Sequence, residues 1–417
     1  MDADGDALMW RRFMSFDRGV RLLMVNQFAI NLGFYMLMPY LAGHLSGGLH
    51  LAAWAVGLVL GMRNLSQQGM FLVGGTLADR LGYRPVIIAG CLLRTAGFGL
   101  LGFVDTLPAL LAASAMTGFA GALFNPAVRA YVAHGAQERR VEAFALFNVF
   151  YQAGILLGPV IGMALLAADF RLVCVVAAGV FAALTLLQAT ALPPCRDETR
   201  RREGVLADWR GIATNRRFTA FSLAMIGSYV LSFQVYLALP LHLADSRAVS
   251  VLFVLSALVA LLGQLRVTDW ARRRWTSAQA IARGLALMAL AFVPLIPYAV
   301  TGVPAPTAVV LVCAVLLSLG TVLTYPFEMD TVVALSGGHR VATHYGFYNT
   351  VAGLGIAAGN LAVGRLLDLG PVWAWTGLVL TGAVSTLAVV RLDRGPGAYG
   401  RRSRGRTRRT APAGTPP

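Results

Sequence analysis

Apolar runs of about twenty residues recur along this chain almost from end to end. They fall at roughly 19–42, 51–77, 86–105, 108–131, 141–167, 170–192, 217–243, 247–267, 278–299, 306–335, 342–368 and 371–391. About twenty helical residues, rising 1.5 Å each, cross a hydrocarbon layer about 30 Å thick. In lipid only helices and closed barrels satisfy the backbone, and these runs are too long for barrel strands. The expected fold class is therefore an all-α membrane protein of 12 transmembrane helices. Composition agrees: 57% of residues are hydrophobic, 13% are charged, and mean hydropathy is +0.66. Soluble domains carry about 25% charged residues.

The formal charge of +16 comes entirely from arginine, since the chain has no lysine. That usage reflects genome composition more than a ligand. Position carries more information. One set of connections holds Arg80, Arg84, Arg139, Arg140, the run from Arg196 to Arg217, Arg272 to Arg274, Arg340 and the tail. The other set holds only Arg171 and Arg247. The positive-inside rule then places both termini in the cytoplasm of a cell-membrane protein, consistent with an even number of spans. The first run is too long and too polar to be the core of a cleaved signal peptide. Cys91, Cys174, Cys195 and Cys313 are scattered without metal-ligand spacing, so neither metal nor disulfide is expected, and no cofactor is implied. The tail's Arg401–Arg409 cluster suits anionic headgroups or topology rather than nucleic acid.

The chain divides at the charged connection after Pro193. The expected layout is a cytoplasmic segment (1–18), a six-helix bundle (19–192), a linker (193–216), a second six-helix bundle (217–391) and a disordered basic tail (392–417). The halves repeat. At a shift of 200, Pro126 matches Pro326 and Arg140 matches Arg340. At 201, Tyr35, Pro39, Asn148, Gly154 and Gly158 match Tyr236, Pro240, Asn349, Gly355 and Gly359. Duplicated bundles of this kind rock about a midplane site.

Between the second and third runs stands Gly75-Thr-Leu-Ala-Asp79-Arg80-Leu-Gly82-Tyr-Arg84-Pro85. Gly75 permits close helix approach, Asp79 can cap or pair, Gly82 can turn the chain, and Arg80 and Arg84 hold the loop on one side. The stretch resembles the helix 2–helix 3 loop of the major facilitator superfamily, with Tyr83 replacing a basic residue. The fifth run contains Gly154-Ile-Leu-Leu-Gly158-Pro159-Val-Ile-Gly162. Its glycines form a flat stripe and Pro159 permits a bend. It resembles the helix-5 motif of that superfamily's 12-helix drug:proton antiporters. The resemblance implies two pseudo-symmetric six-helix bundles around a central cavity, working by alternating access.

Charges inside spans are costly and are functional candidates by default. Arg63, Arg94, Arg129, Glu328 and Asp330 are of this kind. Arg94 and Arg129 can also snorkel to the nearer surface. Glu328 and Asp330 are the candidate proton carriers, because arginine does not release its proton and all six histidines lie near span ends. Two residues apart, they point about 200° from one another, so only one can face a central cavity. A static ion pair with arginine is the alternative for either. Asn31, Tyr35, Arg63, Gln67, Gln152, Gln234, Tyr236 and Asn349 are candidates for a cavity suited to amphipathic organic molecules, though buried amides also tie helices together.

Together these features indicate a secondary transporter that expels small amphipathic organic compounds in exchange for protons. Uptake of a nutrient such as a sugar or organic anion is the alternative, and Arg63 suits the anion. An enzyme would need a nucleophile–base or metal cluster, which the sequence does not offer, and a sensor would usually append a folded domain. The partners expected are a small-molecule substrate, protons and the bilayer, with the protein acting as a monomer and binding no nucleic acid.

Overall fold

The computed structural model describes residues 3–51, 53–195, 204–243 and 246–394. Among them every regular element is helical. The first half comprises span 1 (Arg18–Gly43), span 2 (Ala53–Leu81), span 3 (Tyr83–Leu101), span 4 (Leu107–Ala136), span 5 (Arg140–Leu166) and span 6 (Phe170–Ala191). Span 7 is broken into Arg216–Ala224, Ile226–Ser232 and Ala238–Leu243. Span 8 (Ser246–Arg274), span 9 (Ser277–Leu290 and Ile296–Thr301), span 10 (Thr307–Ser336), span 11 (Val341–Leu369) and span 12 (Pro371–Arg394) complete the second half. A short helix, Ala3–Met14, precedes span 1, and another, Val205–Thr214, lies within the expected linker. Residues 196–203 of that linker and the basic tail from 395 onward lie outside the described residues.

Among the described residues ten segments are long and apolar enough to cross a membrane. One of them, Leu107–Leu166, joins spans 4 and 5, and span 2 is not among them. Span 2 carries Arg63, Asn64, Gln67 and Gln68. A helix set against other helices can hold such residues where a lipid-facing one cannot.

Local chemistry sets the span ends. Asp169 accepts a hydrogen bond from the Arg171 backbone at 3.2 Å and caps span 6. Asn215 caps span 7 through Phe218 N at 3.2 Å. Thr276 and Gln279 form a reciprocal capping box at the start of span 9. Gly82, with φ of 93°, makes the one-residue turn between spans 2 and 3, a conformation that side chains resist. Pro126 and Pro326 sit inside spans 4 and 10 at equivalent points of the repeat.

Spans 1–6 pack as one bundle and spans 7–12 as another. Between them, span 2 lies along span 11 and span 5 along span 8. Glycine stripes set the tightest joints. A Cβ on Gly154 would stand 2.5 Å from Phe28 O, and one on Gly158 2.8 Å from the Tyr35 Cβ, both in span 1. Gly162 is pressed against Met36 O of the same helix. Their repeat counterparts, Gly355 and Gly359, face Ile226 and Val230 of span 7. Both bundles thus use the same small-residue seam, one of dispersion and backbone proximity rather than of hydrophobic exclusion. Pro159 frees the backbone around its own seam, and its carbonyl accepts from the Tyr40 hydroxyl at 2.6 Å.

Candidate functional site

Arg80 and Arg340 meet at Asp208, and Arg140 and Arg272 pair with acids of the opposite bundle, at the side of the helices called here the basic face. The Asp79 carboxylate sits there, 5% exposed, on the first turn of span 11. It accepts from Ala342 N at 3.2 Å, Thr343 N at 2.7 Å and Thr343 Oγ1 at 2.5 Å. Those N–H groups have no partner within their own helix, and the helix dipole favours a negative charge beside them. Gly75, one turn earlier, lets the Ala342 carbonyl approach where a side chain would block it. Gly346 does the same for the Phe71 carbonyl of span 2. Arg80 reaches Asp208 in the linker helix at 2.8 Å, and Arg340 lies 3.0 Å from the other oxygen of that carboxylate, an ion pair without hydrogen-bond alignment. Trp209 Nε1 donates to Thr76 Oγ1 at 2.8 Å. Arg84 bonds the Ala189 carbonyl, and Tyr83 is buried.

The pseudo-equivalent joint between spans 8 and 5 is built with the charges exchanged. Here the acid, Glu142, lies in the first turn of span 5, and Arg272 reaches it from the last turn of span 8 at 3.6 Å. Arg139 supports Glu142 at 2.9 Å, and Asp269 pairs with Arg12 at 2.5 Å. Deeper in, Asn148 of span 5 donates to Gln264 of span 8 at 2.5 Å. Asp330 of span 10 pairs with Arg140 of span 5 at 2.8 Å. The Glu142–Arg272 and Asp330–Arg140 pairs join one bundle to the other at the basic face, and Asn148–Gln264 does so deeper in.

Glu328 and Asp330 therefore serve different surroundings, as their 200° separation requires. Asp330 belongs to the basic-face joint. Glu328 lies farther in, 3% exposed, and its Oε1 accepts from Tyr229 of span 7 at 2.7 Å and Tyr348 of span 11 at 2.6 Å. Among the described residues Glu328 has no arginine at ion-pair distance and nothing bonded to Oε2. Arg129 of span 4 faces the same region from the other bundle, donating to Asn349 Oδ1 at 3.3 Å. It points between the bundles rather than to a membrane surface.

Tyrosines continue this polar region. Tyr35 is hydrogen-bonded to Tyr151 and lies within electrostatic reach of Arg63 and of Tyr236 in the opposite bundle. Tyr236 is 56% exposed and flanked by Phe233 and Phe253. Arg63 donates to Gln67 Oε1 at 2.8 Å and Asn64 Oδ1 at 2.7 Å. Arg94 lies buried among phenylalanine rings behind it. Gln152 is half-buried and makes no hydrogen bond among the described residues.

Asn31 and Gln234 lie elsewhere. Asn31 bonds its own helix at Gln27 O, 2.8 Å away, and packs under Gly154. Gln234 is fully buried and bonds Val230 O at 2.7 Å and Asn360 at 3.4 Å, tying span 7 to span 11. Sequence reasoning overlooked Asp208 and Trp209, although Val205, Trp209 and Ile212, spaced four and three apart, were a readable helix signal. It also overlooked Tyr151, Tyr229 and Tyr325, the last hydrogen-bonded to Arg129. A cavity of about 600 Å³ bordered by Trp270, Trp275 and Arg283 lies wholly within the second bundle and touches none of these groups.

The sequence pattern described as "Major Facilitator Superfamily" matches residues 23–360. The chain belongs to that superfamily. A Mycobacterium tuberculosis protein described as an MFS-type transporter is 52% identical over 396 residues, covering 91% of this chain and 94% of its own. The multidrug resistance protein MdtH of Salmonella arizonae is 29% identical over 384 residues, covering 89% and 93%. Among solved structures, the human organic anion transporter MFSD10 (TETRAN) superposes with a TM-score of 0.70 at 18% identity, covering 90% of this chain and 99% of its own. At that identity the likeness concerns the fold. The protein is a multi-pass membrane transporter of small molecules, and not an enzyme.

Proposed function

We propose that the protein expels small amphipathic organic compounds from the cell in exchange for protons, with Glu328 carrying the proton. The observation that carries this reading is a buried carboxylate between the bundles, held by two tyrosine hydroxyls and lacking an arginine counter-ion. A carboxylate so placed costs little to protonate, whereas Asp330, held by Arg140, is committed to an ion pair. The glycine–proline seam of span 5 and the resemblance to MdtH support the outward direction.

In this reading the basic face is cytoplasmic, and the arrangement described is closed toward the cytoplasm. Asp79 on span 11, Asp330 with Arg140, and Glu142 with Arg272 form the closure. Substrate leaves to the outside, a proton reaches Glu328, and loss of its charge loosens the Tyr229 and Tyr348 hydrogen bonds between spans 7, 10 and 11. The closure then opens, the proton is released inside, and substrate enters. The protein works as a monomer, since each chain carries both bundles and the region between them.

The test is flux in proteoliposomes with and without an imposed pH gradient, using neutral, cationic and anionic aromatic probes. Glu328→Gln is expected to abolish gradient-driven accumulation while leaving substrate exchange. Asp330→Asn is expected to keep coupling. Full pH-driven transport by Glu328→Gln removes Glu328 from the proton path.

A further inference from the structure

We propose that Arg63 and Arg94, which share the ring of Phe34, bind the carboxylate of an aromatic organic acid, and that such acids are the transported class. The proposal rests on the transport reading above and names its substrate.

The argument begins with charge that the protein does not balance. Arg94 is 3% exposed, in the middle of span 3. Its Nε is buried without a partner, and among the described residues its guanidinium makes no hydrogen bond and no ion pair. Phenylalanine rings surround it. Its guanidinium carbon is 4.7 Å from the centre of Phe124, 5.1 Å from Phe34, 5.3 Å from Phe181 and 6.0 Å from Phe98. Ring faces attract a cation but accept none of its directed hydrogen bonds in full. Arg63, 4.4 Å from the same Phe34 ring, is bonded only to the neutral amides of Gln67 and Asn64. The two guanidiniums also repel each other.

No acid in this bundle can neutralise them. The sequence has no Asp or Glu between Asp17 and Asp79, or between Asp79 and Asp105. Spans 4 to 6 hold only Glu142, at the basic-face end of span 5. Glu328, in the other bundle, is already held by Tyr229 and Tyr348. A buried charge is retained where a partner meets it, and here that partner must come from outside.

The surroundings select what kind of anion. Two planar forks accept a carboxylate in paired hydrogen bonds, which a spherical ion does not exploit. Phe34, edge-on to Tyr35 at 5.1 Å, makes the surroundings of both arginines aromatic, which suits an acid carrying a ring. Access runs from Arg63, which is only partly buried and faces the Tyr35–Tyr151–Tyr236 region. Gly121 of span 4 keeps the front of Arg94 clear, since a Cβ there would stand 2.9 Å from Nη2 and 3.1 Å from Gln67.

The test is equilibrium binding of 2-naphthoate to the purified full chain in detergent, beside its neutral isostere 2-naphthamide. Arg63→Gln and Arg94→Gln should each weaken naphthoate binding about tenfold or more and leave naphthamide unchanged. Arg94→Lys, which keeps the charge and guards against a folding defect, should lose affinity because an ammonium cannot form the fork. Equal binding of acid and amide, or full naphthoate affinity in Arg63→Gln, overturns the proposal. Displacement of naphthoate by chloride at equal concentration does too, and makes the site one for an inorganic counter-ion. Binding needs no proton gradient. Failure here with pH-driven flux of neutral probes intact defeats the substrate class alone, while naphthoate binding without coupled flux defeats the exchange reading alone.

Discussion

Asp79→Asn should move the resting protein away from the arrangement described here while leaving it folded. The carboxylate meets two backbone N–H groups and a hydroxyl at the start of span 11, at 3.2, 2.7 and 2.5 Å. Asparagine keeps one acceptor oxygen, loses the charge, and turns an NH₂ toward groups that themselves donate. Hydrogen bonds to a charged group are worth about 1.5–3 kcal/mol each, and a charge at a helix N-terminus about 0.3–1 kcal/mol. Losing one such bond and the charge costs the closed basic face roughly 2–4 kcal/mol. At 1.4 kcal/mol per tenfold, the balance shifts roughly 30- to 700-fold toward opening. The fold should survive, because the contact joins the bundles rather than building either. The assay is a spin-label distance between Glu138→Cys and His339→Cys, exposed positions at the basic-face ends of the two bundles. In the otherwise unchanged protein a short distance should dominate, and with Asp79→Asn a longer one should. An unchanged distribution, or normal turnover by well-folded Asp79→Asn, would refute the reasoning.

Gly75→Ala should shift the same distances the same way, since its methyl meets the Ala342 carbonyl only when the face is closed. Asp208→Asn should act more weakly, because its two arginines are each 27% exposed and such pairs are worth about 1 kcal/mol or less; the measurement is again the label distance. If an organic anion leaves as one proton enters, two charges move per cycle. A potential of 100 mV then contributes about 4.6 kcal/mol, twice the figure for a neutral substrate. A potassium-set potential across proteoliposomes should accordingly drive naphthoate accumulation more steeply than accumulation of a neutral probe.

Much of the fold was legible because lipid leaves the backbone few choices. Apolar run lengths implied the spans, and the shift of about 200 residues implied paired bundles with matching glycine seams. Span 2 shows why hydropathy alone is incomplete: its Gln67 and Gln68 face Gly121 and Gly353 of neighbouring spans, a context the sequence does not display. Local spacing marked Asp79 as a residue that caps or pairs, but its partner, Thr343, is 264 residues away. The geometry of a helix separated Glu328 from Asp330, yet their roles depend on Tyr229, Tyr348 and Arg140, from three other spans. Tyr35 and Tyr236 stood out through the repeat, whereas Tyr151 and Tyr229 did not, because mid-span tyrosines also face lipid and interfaces. Asn31 and Gln234 resembled cavity residues because an amide's local preference for its own helix backbone is invisible in a residue list. Asp208 was hidden inside a charged connection that looked like a solvated linker.

The central claim is that substrate and proton cross in opposite directions through Glu328. It is tested most directly by proteoliposomes holding a trapped pH indicator, with no pH gradient imposed and a transported probe added outside. The account predicts that substrate entering down its gradient drives protons out, so the lumen becomes alkaline, and that Glu328→Gln abolishes this signal while substrate still exchanges. Substrate entry with no proton movement, or with acidification of the lumen, would contradict it.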